Sequence, residues 1–157
     1  MSSVPSAPSA ALPSRARVVA AHSGKVVCVS EASTADGAHV IQYSRGAHDN
    51  DKFSLEPAGD GSHRLVAKHS GKVLSIADAS PKEGAGLVQW RAVGTPNEKF
   101  RFEPRPGGVY RIAVEHSGQY LDVEGGATGN GARLVQWPRE EVDHQLFRLE
   151  PLVDADW

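Results

Sequence analysis

The sequence predicts an all-β protein of the β-trefoil class, and three observations carry that prediction. First, the triplet His-Ser-Gly begins at His22, His69 and His116, a constant 47-residue step. Second, Gln42-Tyr43, Gln89-Trp90 and Gln136-Trp137 keep the same step. So do Phe53, Phe100 and Phe147, and the Glu-Pro pairs ending at Pro57, Pro104 and Pro151. Third, each unit divides into four short apolar runs separated by Gly, Ser, Asp and Asn, the punctuation of strands and turns. None of the runs has a sustained helical period.

In the first repeat the runs are Arg17–Ala20, Val26–Val29, His39–Tyr43 and Phe53–Leu55. The second supplies Leu65–Ala67, Val73–Ile76, Leu87–Trp90 and Phe100–Phe102; the third, Ile112–Val114, Tyr120–Val123, Leu134–Trp137 and Phe147–Leu149. Helical repeats of this length need two amphipathic helices per unit, and none is visible. A β-propeller needs about four to eight blades, and only three units are present. Three four-stranded units must hide their sheet edges. A six-stranded barrel capped by three hairpins around a pseudo-threefold axis does so.

The 157 residues, 39% hydrophobic and 23% charged, suit one globular domain. Residues 17–157 form that domain, as repeats 17–63, 64–110 and 111–157, and the tail after Pro151 ends in Trp157, placed to cover an apolar edge. Met1–Ala16, rich in Ser, Pro and Ala, reads as a flexible arm. It lacks the charged and apolar regions of a signal peptide, and Cys28 is the only cysteine, which leans towards a cytoplasmic or non-classically secreted protein. The net charge of −2, with Lys and Arg scattered singly, argues against a nucleic-acid partner. No apolar run approaches the ~18 residues of a membrane-spanning helix.

The pattern His-Ser-Gly-Lys-x-Leu-Asp-Val, then Gly-Ala-x-x-Val-Gln-Trp, then Asn-x-x-Phe-x-x-x-Pro resembles the ricin B-chain-like β-trefoil lectins over about residues 17–152. The resemblance implies a non-enzymatic glycan-binding module needing no cofactor. In that family a carboxylate on the second strand accepts from sugar hydroxyls, an aromatic on the third stacks on the ring, and an Asn or Gln before the last aromatic completes the set. Carried over, the third repeat offers Asp122, Trp137, His144 and Gln145. The second offers Ser75, Trp90, Asn97 and Glu98; the first, Cys28, Tyr43, Asn50 and Asp51. Only the third keeps the carboxylate. The expected ligand-binding residues are therefore Asp122, Trp137, His144 and Gln145, with Trp90, Asn97, Tyr43 and Asn50 as weaker sites. A galactose-type ligand is the one the resemblance implies.

Other features have plainer readings. Strand alternation turns Gln42, Gln89 and Gln136 away from the aromatic face, where buried amides satisfy backbone groups. On spacing alone Tyr43, Trp90 and Trp137 seal the cap; the resemblance makes Trp137 a stacking platform and leaves the other two open. Phe53, Phe100 and Phe147 belong to the core. The His-Ser-Gly triplets suggest neither a nucleophile nor a zinc site so much as turns, with Gly24, Gly71 and Gly118 at φ > 0. Cys28 reads as a small buried residue; the sharper reading is an exposed thiol linking two chains. The competing functional class is a protein-interaction or inhibitor β-trefoil whose sugar sites are vestigial.

Overall fold

The structure, a computed structural model, describes residues 12–46 and 48–157. Its strands are β1 (Arg15–Ala20), β2 (Val26–Val29), β3 (Val40–Tyr43), β4 (Phe53–Pro57), β5 (His63–Ala67) and β6 (Val73–Ile76). They continue as β7 (Leu87–Trp90), β8 (Phe100–Arg105), β9 (Val109–Val114), β10 (Tyr120–Val123), β11 (Leu134–Trp137) and β12 (Phe147–Pro151). The predicted four strands per repeat are all present.

Six strands close a ring. β1 pairs β4, β4 pairs β5, β5 pairs β8, β8 pairs β9, β9 pairs β12, and β12 returns to β1, all antiparallel. Closure leaves the barrel no free edge. The hairpins β2–β3, β6–β7 and β10–β11 cap one end. Each joins the barrel through one equivalent pairing: Val19 with Val26, Val66 with Val73, Ala113 with Tyr120.

The core repeats with the chain. Phe53, Phe100 and Phe147 are fully buried, as are the triplets Val18/Leu65/Ile112, Val29/Ile76/Val123 and Val40/Leu87/Leu134. Each layer varies only among residues of similar shape, which keeps packing dense without strict symmetry. Gly24, Gly71 and Gly118 have φ of 74°, 74° and 73°, so the His-Ser-Gly turns take the left-handed residue expected of them. The histidines brace these turns: Nε2 of His22, His69 and His116 donates to the carbonyls of Ala127, Ser33 and Ser80. Among the described residues no group of three or more His, Cys, Asp or Glu gathers to hold a metal.

The buried glutamines behave as alternation predicts. Gln42 Nε2 donates to the carbonyls of Ala127 and Gly129, and its Oε1 accepts from Ser23. Gln89 and Gln136 repeat the arrangement with Ser33 and Ala35, and with Ser80 and Lys82. These carbonyls belong to the preceding repeat in the ring, so each amide staples two repeats together.

The first strand starts earlier than its composition suggests. Arg15 and Ala16 pair with Ser54 and Phe53, Ala16 is fully buried, and Leu12 packs on the core. Pairing to β4 and β12 imposes extended backbone on a Pro/Ser/Ala-rich stretch with little strand propensity of its own. Residues 1–11 of the expected arm lie outside the described residues. Trp157 lies beside cations, with the Arg15 guanidinium 4.6 Å and the Lys68 ammonium 5.1 Å from its ring.

Candidate functional site

Each hairpin carries a cavity at its open face. The three occupy equivalent positions, with volumes of about 610, 460 and 490 Å³ in repeats one, two and three. Strand register explains their make-up. Asp122 pairs with Val135 and Tyr120 with Trp137, so Asp122, Val135 and Trp137 share one face of the β10–β11 hairpin. Cys28, Ile41 and Tyr43 stand in the same relation in repeat one, and Ser75, Val88 and Trp90 in repeat two. Ile41, Val88 and Val135 line the cavities as apolar surface.

The aromatics lie at the solvent side. Tyr43 is 48% exposed and Trp90 38%, while Trp137 is half-buried. They do not seal the cap. Each cavity is completed from the neighbouring repeat, by Gly131 beside Tyr43, Gly37 beside Trp90 and Gly84 beside Trp137. A Cβ at Gly37 or Gly84 would sit 3.7 or 3.8 Å from the indole ring, and both glycines have positive φ. Their N–H groups donate to the carbonyls of Gln89 and Gln136, which fixes the loop behind the ring. The register of Gly-Ala at 37–38, 84–85 and 131–132 was visible as a repeat; its assignment to the next repeat's cavity was not.

In the third cavity Asp122 is only 3% exposed, at the base. Its Oδ1 accepts from His144 Nδ1 at 2.6 Å and its Oδ2 from Gln145 Nε2 at 2.9 Å. Each oxygen retains a second lone-pair direction. Gln145 is fully buried and does not line the cavity. It also donates to the Pro138 carbonyl and accepts from the Glu140 N–H, so it holds the carboxylate and the loop from beneath. His144 does line the cavity. Its ring leans over Gly126, where a Cβ would lie 2.8 Å from His144 Cδ2.

The other repeats place their charge differently. Glu98, at the position of Gln145, is buried and accepts from the Arg64 Nε and from the N–H groups of Val93 and Gly94. Asp51 is likewise buried, with Arg17 Nε at 3.4 Å. Above them stand uncharged Ser75 and Cys28. Burial, and then the nearby Asp51 carboxylate, push the Cys28 thiol up to about 12. A thiol so buried does not present itself for linking chains, so the sharper reading of Cys28 fails. Asn50 and Asn97 line their cavities but spend their amides on the carbonyls of Val29 and Ile76. In repeat three Arg111 faces a neutral amide and turns to Glu141 at 2.8 Å.

Position by position, then, the structure brings Asp122, Trp137 and His144 to one cavity, Trp90 and Asn97 to a second, and Tyr43 and Asn50 to a third. The arginine–carboxylate floor of the first two was missed, although Arg17, Arg64 and Arg111 keep the 47-residue step.

A closed trefoil barrel with one cavity per hairpin defines the class of protein. The sequence matches the family described as ricin-type β-trefoil lectin domain-like over residues 11–90 and 96–157, and the chain belongs to that family. It is similar to the designed 3-fold symmetric protein ThreeFoil, at 42% identity and TM-score 0.86, covering 88% of this chain and 99% of that one. An exo-β-1,3-galactanase from Clostridium thermocellum matches at 27% identity and TM-score 0.86, over 88% of this chain but 30% of the enzyme. A Macrolepiota procera ricin B-like lectin, solved in complex with lactose, shares the fold at 20% identity and TM-score 0.78, covering 90% of this chain and 98% of the lectin. No curated protein sequence matches the chain.

Proposed function

We propose that the chain is a non-enzymatic lectin that binds glycans of galactose type through shallow sites, of which the third repeat's is the best formed. The observation that carries this reading is that Asp122 and Trp137 line one cavity. The indole offers a flat face to the apolar side of a pyranose. The Asp122 carboxylate, already oriented by His144 and Gln145, has lone pairs left for adjacent hydroxyls. A carboxylate held in place before binding loses little entropy when the sugar arrives. The cavities of repeats one and two offer an aromatic and an Asn but no carboxylate at the position of Asp122, and serve as weaker sites on a multivalent glycan.

Glycan-array binding of the whole chain, repeated with Trp137→Ala and Asp122→Ala, tests the reading. Each variant is expected to lose at least ~10-fold in affinity, since a stacking face or a charge-assisted hydrogen bond contributes about 1.5 kcal/mol or more. Wild type binding nothing, or both variants binding as wild type does, overturns it. The competing protein-interaction reading draws on the two cavities whose carboxylates are turned towards arginine, and the first of those outcomes would favour it.

A further inference from the structure

We propose that the third cavity selects basic sugars, binding a hexosamine with a free, protonated amine more tightly than the neutral hexose and disfavouring uronates. This rests on the glycan-binding reading of that cavity and specifies the ligand's charge. Three carboxylate residues line it, Asp122, Glu124 and Glu140, and no Lys or Arg does. The first two repeats give an internal control. Where the third has Glu124 they have Ser30 and Ala77; where it has Glu140 they have Gly46 and Val93. The first cavity also carries Arg45 in its lining. In the second, Glu98 is committed to Arg64.

Two arginines of the third repeat are committed elsewhere. Arg111 and Arg139 both meet Glu141, at 2.8 and 3.1 Å, and Glu141 is not part of the cavity lining. The cavity therefore has a more negative lining than either counterpart: the first and second each carry one exposed carboxylate, Glu31 or Asp78, beside an arginine-paired one, and the third has Gly125 at that position. Its aromatic wall acts in the same direction, because the face of Trp137 attracts a cation as well as a sugar's apolar side. Glu124 and Glu140 are solvent-exposed, so their pull is moderate and sensitive to salt. A unit charge about 7 Å away through water changes binding by a factor of about three.

The test is calorimetric titration of the full chain, near neutral pH, with three ligands of one ring type: methyl galactoside, its 2-amino-2-deoxy analogue and methyl galacturonide. At ~0.02 M salt the amine is expected to bind about 3–10-fold tighter than the neutral sugar and the uronide weakest, with the ratios falling towards one at ~0.5 M. The variant Glu124→Ser with Glu140→Val takes its residues from the other repeats. It should lose the preference for the amine, binding it no more tightly than the neutral sugar. A neutral sugar that binds as well as the amine overturns the inference and leaves the glycan reading standing. So does a preference that survives high salt or the double variant. Binding of none of the three overturns both.

Discussion

The third cavity and the first two are built on the same backbone and differ in where one buried carboxylate stands. In repeat three it is Asp122 on the second strand, with neutral Gln145 beneath. In repeats one and two it is Asp51 or Glu98 at the lower position, with neutral Cys28 or Ser75 above. Each pair holds a single carboxylate. Two stacked carboxylates at this separation would repel in a site with little water, and one would have to stay protonated. The lower position meets an arginine of the barrel; the upper one meets the cavity. Moving the charge one step converts a structural ion pair into a cavity-facing acceptor without altering the fold.

That contrast can be broken most strongly in repeat two. Ser75→Asp alone sets a second buried carboxylate beside Glu98 and is expected to destabilise by about 2–4 kcal/mol. Adding Glu98→Gln recreates the Asp122–Gln145 pair and should recover most of that loss. It should also raise the number of glycan sites seen by calorimetry by one. If the double variant is no more stable than the single, the two carboxylates were not the cause.

A smaller effect is expected at Cys28. Its folded pKa is raised above the ordinary 9.0 to about 12, so the neutral thiol is the form the fold holds. This contribution is fully present below pH 9, and is lost as pH rises from about 9 towards 12, because only the unfolded chain ionises there. Denaturant titrations should show wild type losing up to about 1.4 kcal/mol per pH unit more than Cys28→Ala across that window. Parallel pH profiles for the two proteins would show that Cys28 is not buried in this way.

The smallest expected effect concerns His144. Asn50 and Asn97 coexist with Ala32 and Ala79, whereas His144 lies against Gly126. All three of those loop residues have positive φ, 52°, 50° and 64°, so the backbone is shared and only the side chain's room differs. Gly126→Ala should cost about 1 kcal/mol and weaken binding in the third cavity, as His144 is pushed from Asp122. His144→Asn in the same chain should restore the stability. Unfolding midpoints of the four proteins in the cycle measure the coupling.

Much of this was legible in the sequence because the chain states its fold three times. A 47-residue register without insertion fixes the strand count, and strand alternation alone sends Gln42, Gln89 and Gln136 inward, where they are found stapling repeats. Asp122, Trp137 and His144, grouped by their positions in the third repeat, do line one cavity, since departures from symmetry are visible one position at a time. Gln145 was assigned to the ligand. Sequence spacing placed it near the site but not beneath it, and burial is decided by what packs around it.

What the sequence determined by itself is the local pattern: which residues alternate inward, where φ must be positive, and which repeat keeps its acid. What tertiary structure alone decided lies between repeats. Gly84 behind Trp137 is 53 residues away from it, and His22 reaches the Ala127 carbonyl across 105. Closing the ring of six barrel strands sets these pairings, because ring closure brings each loop against the next repeat's hairpin. No local propensity encodes that contact; it follows from geometry once the barrel has shut.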